Sequence, residues 1–202
     1  MKNKLTFIGH ASLKIVSETG VVIYIDPAFT GGDYSEKADI ILITHHHGDH
    51  DKLGLVTETS GCVVLDNTDM LKNGVYQEKT VKGVSIKAVP AYNTNHKPDR
   101  SVGYILFLGD VSLYVSGDTS KTKEMSELRN LNLDYVIMPI DGVYNMGPQE
   151  AEECVELIKP RVFIPVHNDP RSMNDGKEYD TGFDKLQDNK VLILHHGETI
   201  EL

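Results

Sequence analysis

The sequence predicts an α/β fold in which sheets pack together with helices outside. Three observations carry this. Short apolar runs punctuated by Gly, Asn, Asp or Pro dominate the first two thirds of the chain, and several alternate apolar with polar residues as half-buried strands do. Helical spacing of apolar residues enters only later. Strands alternate with those helices toward the C-terminus, the pattern of layered sheets and helices.

In chain order the expected strands are "LTFIG", "SLKIVS", "VVIYID", "DIILIT", "CVVLD", "VSIKAV", "VGYILFLG" and "SLYVSGD", read as an antiparallel meander. "SKTKEMSELRNL" places Met125, Leu128 and Leu131 at helical spacing, and "GPQEAEECVELIKP" does the same for Ala151, Cys154, Val155 and Ile158. Pro148 near the start and Pro160 at the end punctuate the second helix, since proline suits a first turn and cannot continue one. Strands "DYVIMPI", "VFIPVH" and "KVLILHHGETIEL" complete the pattern.

A chain of 202 residues fits one domain, taken here as 1–202, and its 40% hydrophobic and 25% charged content is that of a soluble globular protein. The formal charge of −10, with Lys and Arg scattered, opposes binding to long polyanions, so no nucleic-acid partner is expected. No window has the length of a membrane span and the N-terminus has no signal-peptide core, so no membrane partner and a cytoplasmic location are expected. Cys62 and Cys154 belong to no CxxC pair and sit in apolar surroundings, the setting of buried reduced thiols. A small-molecule substrate is the expected partner; a homo-oligomer is compatible with the sequence, which does not fix the oligomeric state.

The densest chemistry lies in "ITHHHGDHD", residues 43–51, which holds four of the nine histidines directly behind an apolar strand. Residues two apart on an extended loop project to one side, so His45 and His47 can bind one metal ion while Asp49 and His50 turn toward a second. His46 points the other way. Strand, polar loop and helix recur at "ILITHHHGDHD", "LYVSGDTSKTKE" and "VFIPVHNDP", and loops at strand ends commonly converge on one site.

HxHxDH after an apolar strand, preceded by "IDP" and followed by "SGDT" and "PVH", resembles the metallo-β-lactamase fold superfamily. With "GHASLKI" and "PAYN", the chain is most similar to the small stand-alone branch of metal-dependent hydrolases that includes the ascorbate-6-phosphate lactonase-like proteins. The resemblance implies an αββα four-layer sandwich of the metallo-β-lactamase type with two metals at one edge. Carried over by position, His45 and His47 hold the first metal, Asp49 and His50 the second, Asp118 bridges both and His167 completes the second. The family's third ligand to the first metal has no histidine at its usual place, where Asn93 stands; His96, three residues on, is favoured as the ligand over Asn93 or water.

Two divalent cations lower the pKa of a shared water, so the expected reaction is attack by a metal-bridging hydroxide on a small-molecule ester, lactone, amide or phosphoester, with Asp49 as the catalytic proton carrier. Zinc is the first choice of metal, with manganese, iron and nickel compatible with the same donors. The competing readings are a mononuclear iron dioxygenase of the same fold and a non-catalytic metal-binding module. His10 and Asp26 are candidates to hold ligand imidazoles, Tyr144 to donate to a developing oxyanion, and Lys97 and Arg100 to meet an anionic substrate group. Of His195 and His196, at most one faces the interior.

Overall fold

The computed structural model describes residues 1–168, 171 and 191–202 of the chain. Two six-stranded sheets lie face to face. The first contains β1 (Lys4–Gly9), β2 (Ser12–Val16), β3 (Val22–Ile25), β4 (Ala38–Leu42), β5 (Glu58–Leu65) and the C-terminal β14 (Glu198–Glu201), in the order β14-β1-β2-β3-β4-β5. β6 (Leu71–Lys72) and β7 (Val75–Tyr76) form a separate small hairpin. The second large sheet contains β8 (Glu78–Val81), β9 (Val84–Pro90), β10 (Val102–Leu108), β11 (Val111–Val115), β12 (Tyr135–Pro139) and β13 (Val162–Val166), in the order β13-β12-β11-β10-β9-β8. The helices are α1 (Asn67–Met70), α2 (Met125–Leu128) and α3 (Pro148–Ile158).

Strand alternation assigns each apolar side chain to a layer. Leu13, Ile15, Ile23, Ile25, Ile40 and Leu42 from the first sheet meet Ile86, Tyr104, Leu106, Leu113, Ile137 and Ile164 from the second, all fully buried. Each such side chain contributes roughly 1.5–3 kcal/mol relative to leaving it in water. The intervening residues face outward. Ile105, Tyr114, Val136, Met138 and Phe163 pack under Met125 and Leu128 of α2 and Ala151, Cys154 and Ile158 of α3. On the far side of the first sheet, Tyr24, Ile41 and Ile43 are covered by Phe29 and Val56, so among the described residues a loop segment supplies that outer layer. The predicted α/β class, with paired sheets inside, is the one observed.

Three expectations change in detail. The antiparallel meander holds for β1–β3 and for β8–β11, but β3–β4, β4–β5, β11–β12 and β12–β13 are parallel. The helical pattern over 120–131 is realised as α2 followed by a 3-10 turn at Arg129–Leu131, which ends where Asn132 enters the left-handed region at φ 49°. The last strand is only Glu198–Glu201. Val191 still bridges Phe163 at the edge of the second sheet, but a turn in which Glu198 N–H bonds His195 O (2.9 Å) carries the chain across to the first, where Gly197 N–H reaches Phe7 O (2.7 Å). His196 then packs on Phe7 and Phe29 while His195 is exposed. Cys154 is buried and Cys62, on edge strand β5, half-buried; both are free thiols.

The pairing directions place the site. β1, β3 and β4 run one way in the first sheet, as β9, β11, β12 and β13 do in the second. Their C-terminal ends meet at one edge of the sandwich. Hydrogen bonds His167 N–H to His10 O (2.8 Å), Val102 N–H to Thr44 O (3.0 Å) and Tyr104 O–H to Ile43 O (2.8 Å) tie the sheets together there.

Candidate metal centre

Each residue of the site stands just past a strand end. His10 follows β1, Asp26 follows β3, Thr44 to His50 follow β4, Asn93 and His96 follow β9, Asp118 follows β11, Asp141 follows β12 and His167 follows β13. Three of these, His10, Asp26 and His167, are non-glycine residues with φ of 56°, 46° and 49°. That region costs an L-residue about 1–3 kcal/mol, so packing elsewhere holds the chain in turns that aim these side chains inward.

The donors fall into two groups around one carboxylate. His45, His47 and His96 bring ring nitrogens together: His47 Nδ1 lies 3.1 Å from His45 Nε2 and 3.3 Å from His96 Nε2. His10, Asp49, His50 and His167 form the second group, with Asp49 Oδ2 3.3 Å from His10 Nε2, 3.7 Å from His167 Nε2 and 3.9 Å from His50 Nε2. Asp118 sits between the groups. Its Oδ1 faces His50 Nε2 at 3.2 Å, and its Oδ2 faces His96 Nε2 at 3.4 Å and His167 Nε2 at 3.6 Å.

Partners behind the imidazoles fix their orientation. Asp26 accepts from Thr44 N–H (2.8 Å), from the Thr44 hydroxyl (2.7 Å) and from His50 Nδ1–H (2.8 Å). With its proton given to Asp26, the Thr44 hydroxyl oxygen accepts from His45 Nδ1–H at 3.0 Å. One carboxylate thus turns Nε2 of both His45 and His50 toward the cleft. Asp141 Oδ2 faces His167 Nδ1 at 3.0 Å and does the same for the second sheet. Asn93 Oδ1 accepts from the backbone N–H groups of Asn95 and His96 and from His96 Nδ1–H at 3.0 Å. Asn93 therefore stands behind His96, and His96 is the residue that reaches the cluster.

Burial and charge act differently on the two groups. Burial, reinforced by facing imidazoles, lowers His45 to about 2, and burial likewise lowers His96 and His10. For His167 burial alone would lower the imidazole, but Asp118, Asp141 and Asp49 outweigh it and raise it to about 9. His50 is raised well above its ordinary range, as Asp118 and Asp26 overcome burial. Burial would raise Asp49 and Asp118; the surrounding imidazoles win and hold both carboxyls well below the usual range.

His46 is exposed and turns away, its nitrogens 2.9 Å from Asp51 Oδ2 and 3.2 Å from Asp66 Oδ2. Of the other sequence candidates, Tyr144 lines the cleft together with Lys52, and Lys97 and Arg100 line a neighbouring cavity. Asp141 and Thr44 were not picked out from the sequence. The available signal for Asp141 was its place in "PIDG", an Asp directly after an apolar strand, as Asp26 is in "YIDP".

The donor set fits divalent metal ions. Buried His50 Nε2 and His167 Nε2 make no well-directed hydrogen bond among the described residues, although buried polar atoms are ordinarily satisfied; both face the Asp118 carboxylate, at 3.2 and 3.6 Å. Mixed imidazole and carboxylate donors with their rear nitrogens tied down suit zinc, manganese, iron and nickel.

Comparison with known proteins adds to this. Residues 4–167 match the Beta-lactamase superfamily domain. A UPF0173 metal-dependent hydrolase of Thermococcus onnurineus is 35% identical over 228 aligned residues, 98% of this chain and 99% of that protein. A Parabacteroides distasonis protein designated a metal-dependent hydrolase superposes with a TM-score of 0.77 at 30% identity, covering 95% of this chain and 92% of that one. The metallo-β-lactamase fold protein YhfI of Bacillus subtilis superposes with a TM-score of 0.74 over 100% of both chains at 13% identity, a likeness of fold alone.

Proposed function

This chain belongs to the β-lactamase superfamily, and on that premise we propose that it is a metal-dependent hydrolase with two divalent ions, zinc first among them, acting on a small-molecule ester, lactone, amide or phosphoester. The observation that carries the reading is the carboxylate of Asp118 lying between two groups of inward-facing imidazoles. His45, His47 and His96 would hold one ion, Asp49, His50 and His167 the other, and Asp118 would serve both. When bound, the pair supplies Lewis acidity to the scissile oxygen and lowers the pKa of the attacking water.

The chain's own groups do the rest. Asp26 and Thr44 keep His45 and His50 in one tautomer, and Asp141 does so for His167, so the site needs no rearrangement before it works. Asp49 is the one carboxylate of the cluster with substantial exposure, its side chain 36% accessible at the cleft. His10 holds Asp49 Oδ2 from behind, which leaves that carboxylate placed to take a proton from water and pass it to the leaving group. Tyr144, half exposed at the mouth, is placed to donate to an oxyanion.

The test is turnover of a panel of esters, lactones and phosphodiesters by the full-length chain before chelation, after chelation and after metal is restored. The reading expects activity on at least one class that is lost and regained with metal. Activity indifferent to chelation, or a metal-loaded protein inert toward the whole panel, contradicts it.

A further inference from the structure

Beside the metal centre lies a second cavity of about 460 Å³, next to the metal cleft of about 510 Å³. His47, Asn95 and His96 line both, so the two spaces share a wall. The chemistry of the second space differs from that of the first. Ser101, 1% exposed, lines it with a hydroxyl that has no hydrogen-bond partner, and so does Asn67, 7% exposed, with a side-chain oxygen in the same condition. A buried hydroxyl without a partner is costly, and a ligand that satisfies it recovers that cost. At the rim stand Lys97 and Arg100, both exposed and neither ion-paired among the described residues. Asp99 lines the same rim, and the Asp66 carboxylate stands behind it, bonded to His46 and to the Thr68 hydroxyl, so Asp66 is already engaged while Lys97 and Arg100 are not.

We propose that this cavity is the substrate's anion-binding subsite: Arg100 and Lys97 receive a terminal carboxylate or phosphate, and the Ser101 hydroxyl donates to it. Arg presents a planar fork that matches either group with two parallel hydrogen bonds, while Lys adds a point charge. The inference rests on the hydrolase reading for where the scissile bond sits. It adds that the preferred substrates carry an anionic group one cavity away from the cleaved bond.

Two measurements test it separately from the hydrolase reading. The first compares kcat/KM of the metal-loaded full-length chain for mono-p-nitrophenyl succinate and p-nitrophenyl butyrate, which share a leaving group and differ in terminal charge. The native protein is expected to favour the succinate ester, and Arg100→Ala to reduce the succinate-to-butyrate ratio about tenfold. Lys123→Ala, a surface change outside the cavity, leaves the ratio as it is. The second titrates inorganic phosphate and succinate into the metal-free full-length chain by calorimetry, in native protein, in Arg100→Ala and in Ser101→Ala. A roughly tenfold weakening in Arg100→Ala for one anion supports the subsite and identifies its class; weakening for both assigns the shared chemistry. Binding lost in Arg100→Ala by a protein that, metal-loaded, is inert toward the whole panel of esters, lactones and phosphodiesters keeps the subsite and sinks the hydrolase reading. Turnover with a ratio indifferent to Arg100, or anion binding equal in native and Arg100→Ala protein, overturns the subsite and leaves the hydrolase reading standing.

Discussion

The two halves of the candidate metal centre are built from similar residues in different electrostatic settings. His45, His47 and His96 gather without an acid of their own apart from Asp118, and burial keeps His45 and His96 neutral, with His45 lowered to about 2. The group of His50 and His167 has Asp26 and Asp141 directly behind its imidazoles and Asp49 and Asp118 in front. In the metal-free protein those carboxylates hold protons on the rings, with His167 raised to about 9. The first half therefore offers lone pairs at once, while the second must give up protons before an ion enters. The carboxylates around an imidazole, more than the imidazole itself, set its protonation here.

The largest break in that comparison is Asp118→Ala, which removes the one group facing both halves. Metal content is expected to fall on both sides and metal-dependent turnover to drop to background, while circular dichroism shows a folded chain, because the sheets are held by the apolar layers between and around them. Retention of full activity would show that Asp118 is not shared.

Next in size are Asp26→Asn and Asp141→Asn. Each leaves every cleft-facing imidazole in place but weakens its support, and loss of such support typically lowers metal affinity about 10–100-fold. Asp26→Asn is expected to cost more, since Asp26 also holds Thr44 and through it His45. Equal losses would indicate that the Thr44 relay carries nothing.

A smaller effect concerns pH and the metal-free protein. His167 is raised from 6.5 to about 9, so its contribution to folding is fully present below about 6.5 and disappears as pH rises through 9. His45 runs the other way: with its value lowered to about 2, the unfolded chain gains a proton below about 6.5 that the folded chain does not, and stability falls as the solution becomes acidic. Urea denaturation of chelated protein is expected to show both declines; in loaded protein the alkaline decline shrinks, because a bound ion replaces the proton on His167. A flat alkaline limb in chelated protein would mean His167 is not held charged.

The smallest expected effect is that of His46→Ala. Its ring points to Asp51 and Asp66 on the surface, so activity and metal content should stay within about twofold of native and stability within about 0.5 kcal/mol. A loss matching that of Asp118→Ala would undo the division of roles within residues 45–50.

Much of this was readable in the chain because it rests on local patterns. The alternation of HxHxDH separates His46 from its neighbours, and each polar loop behind an apolar strand marks a strand end. Long-range pairing was not readable: nothing local in "DIILIT" tells that β4 runs parallel to β3 and β5, or that the chain leaves the second sheet at Val191 and re-enters the first at Glu198. Asp141 escaped for a related reason. An Asp before Gly after a strand reads as turn chemistry, and its service to His167 appears only once β12 and β13 are known to be parallel neighbours. His96 was reachable only as a choice against Asn93; in the folded loop Asn93 turns back onto the backbone while His96 Nε2 lies 3.3 Å from His47 Nδ1.

The most direct test of the two-group account is elemental analysis of the native chain and of His96→Ala. The account predicts close to two metal ions per native chain and a fall toward one in the variant, with the group around His50 and His167 still filled. One ion per native chain, or a native and variant protein with the same content, would contradict it, and a single iron would put redox chemistry in place of hydrolysis.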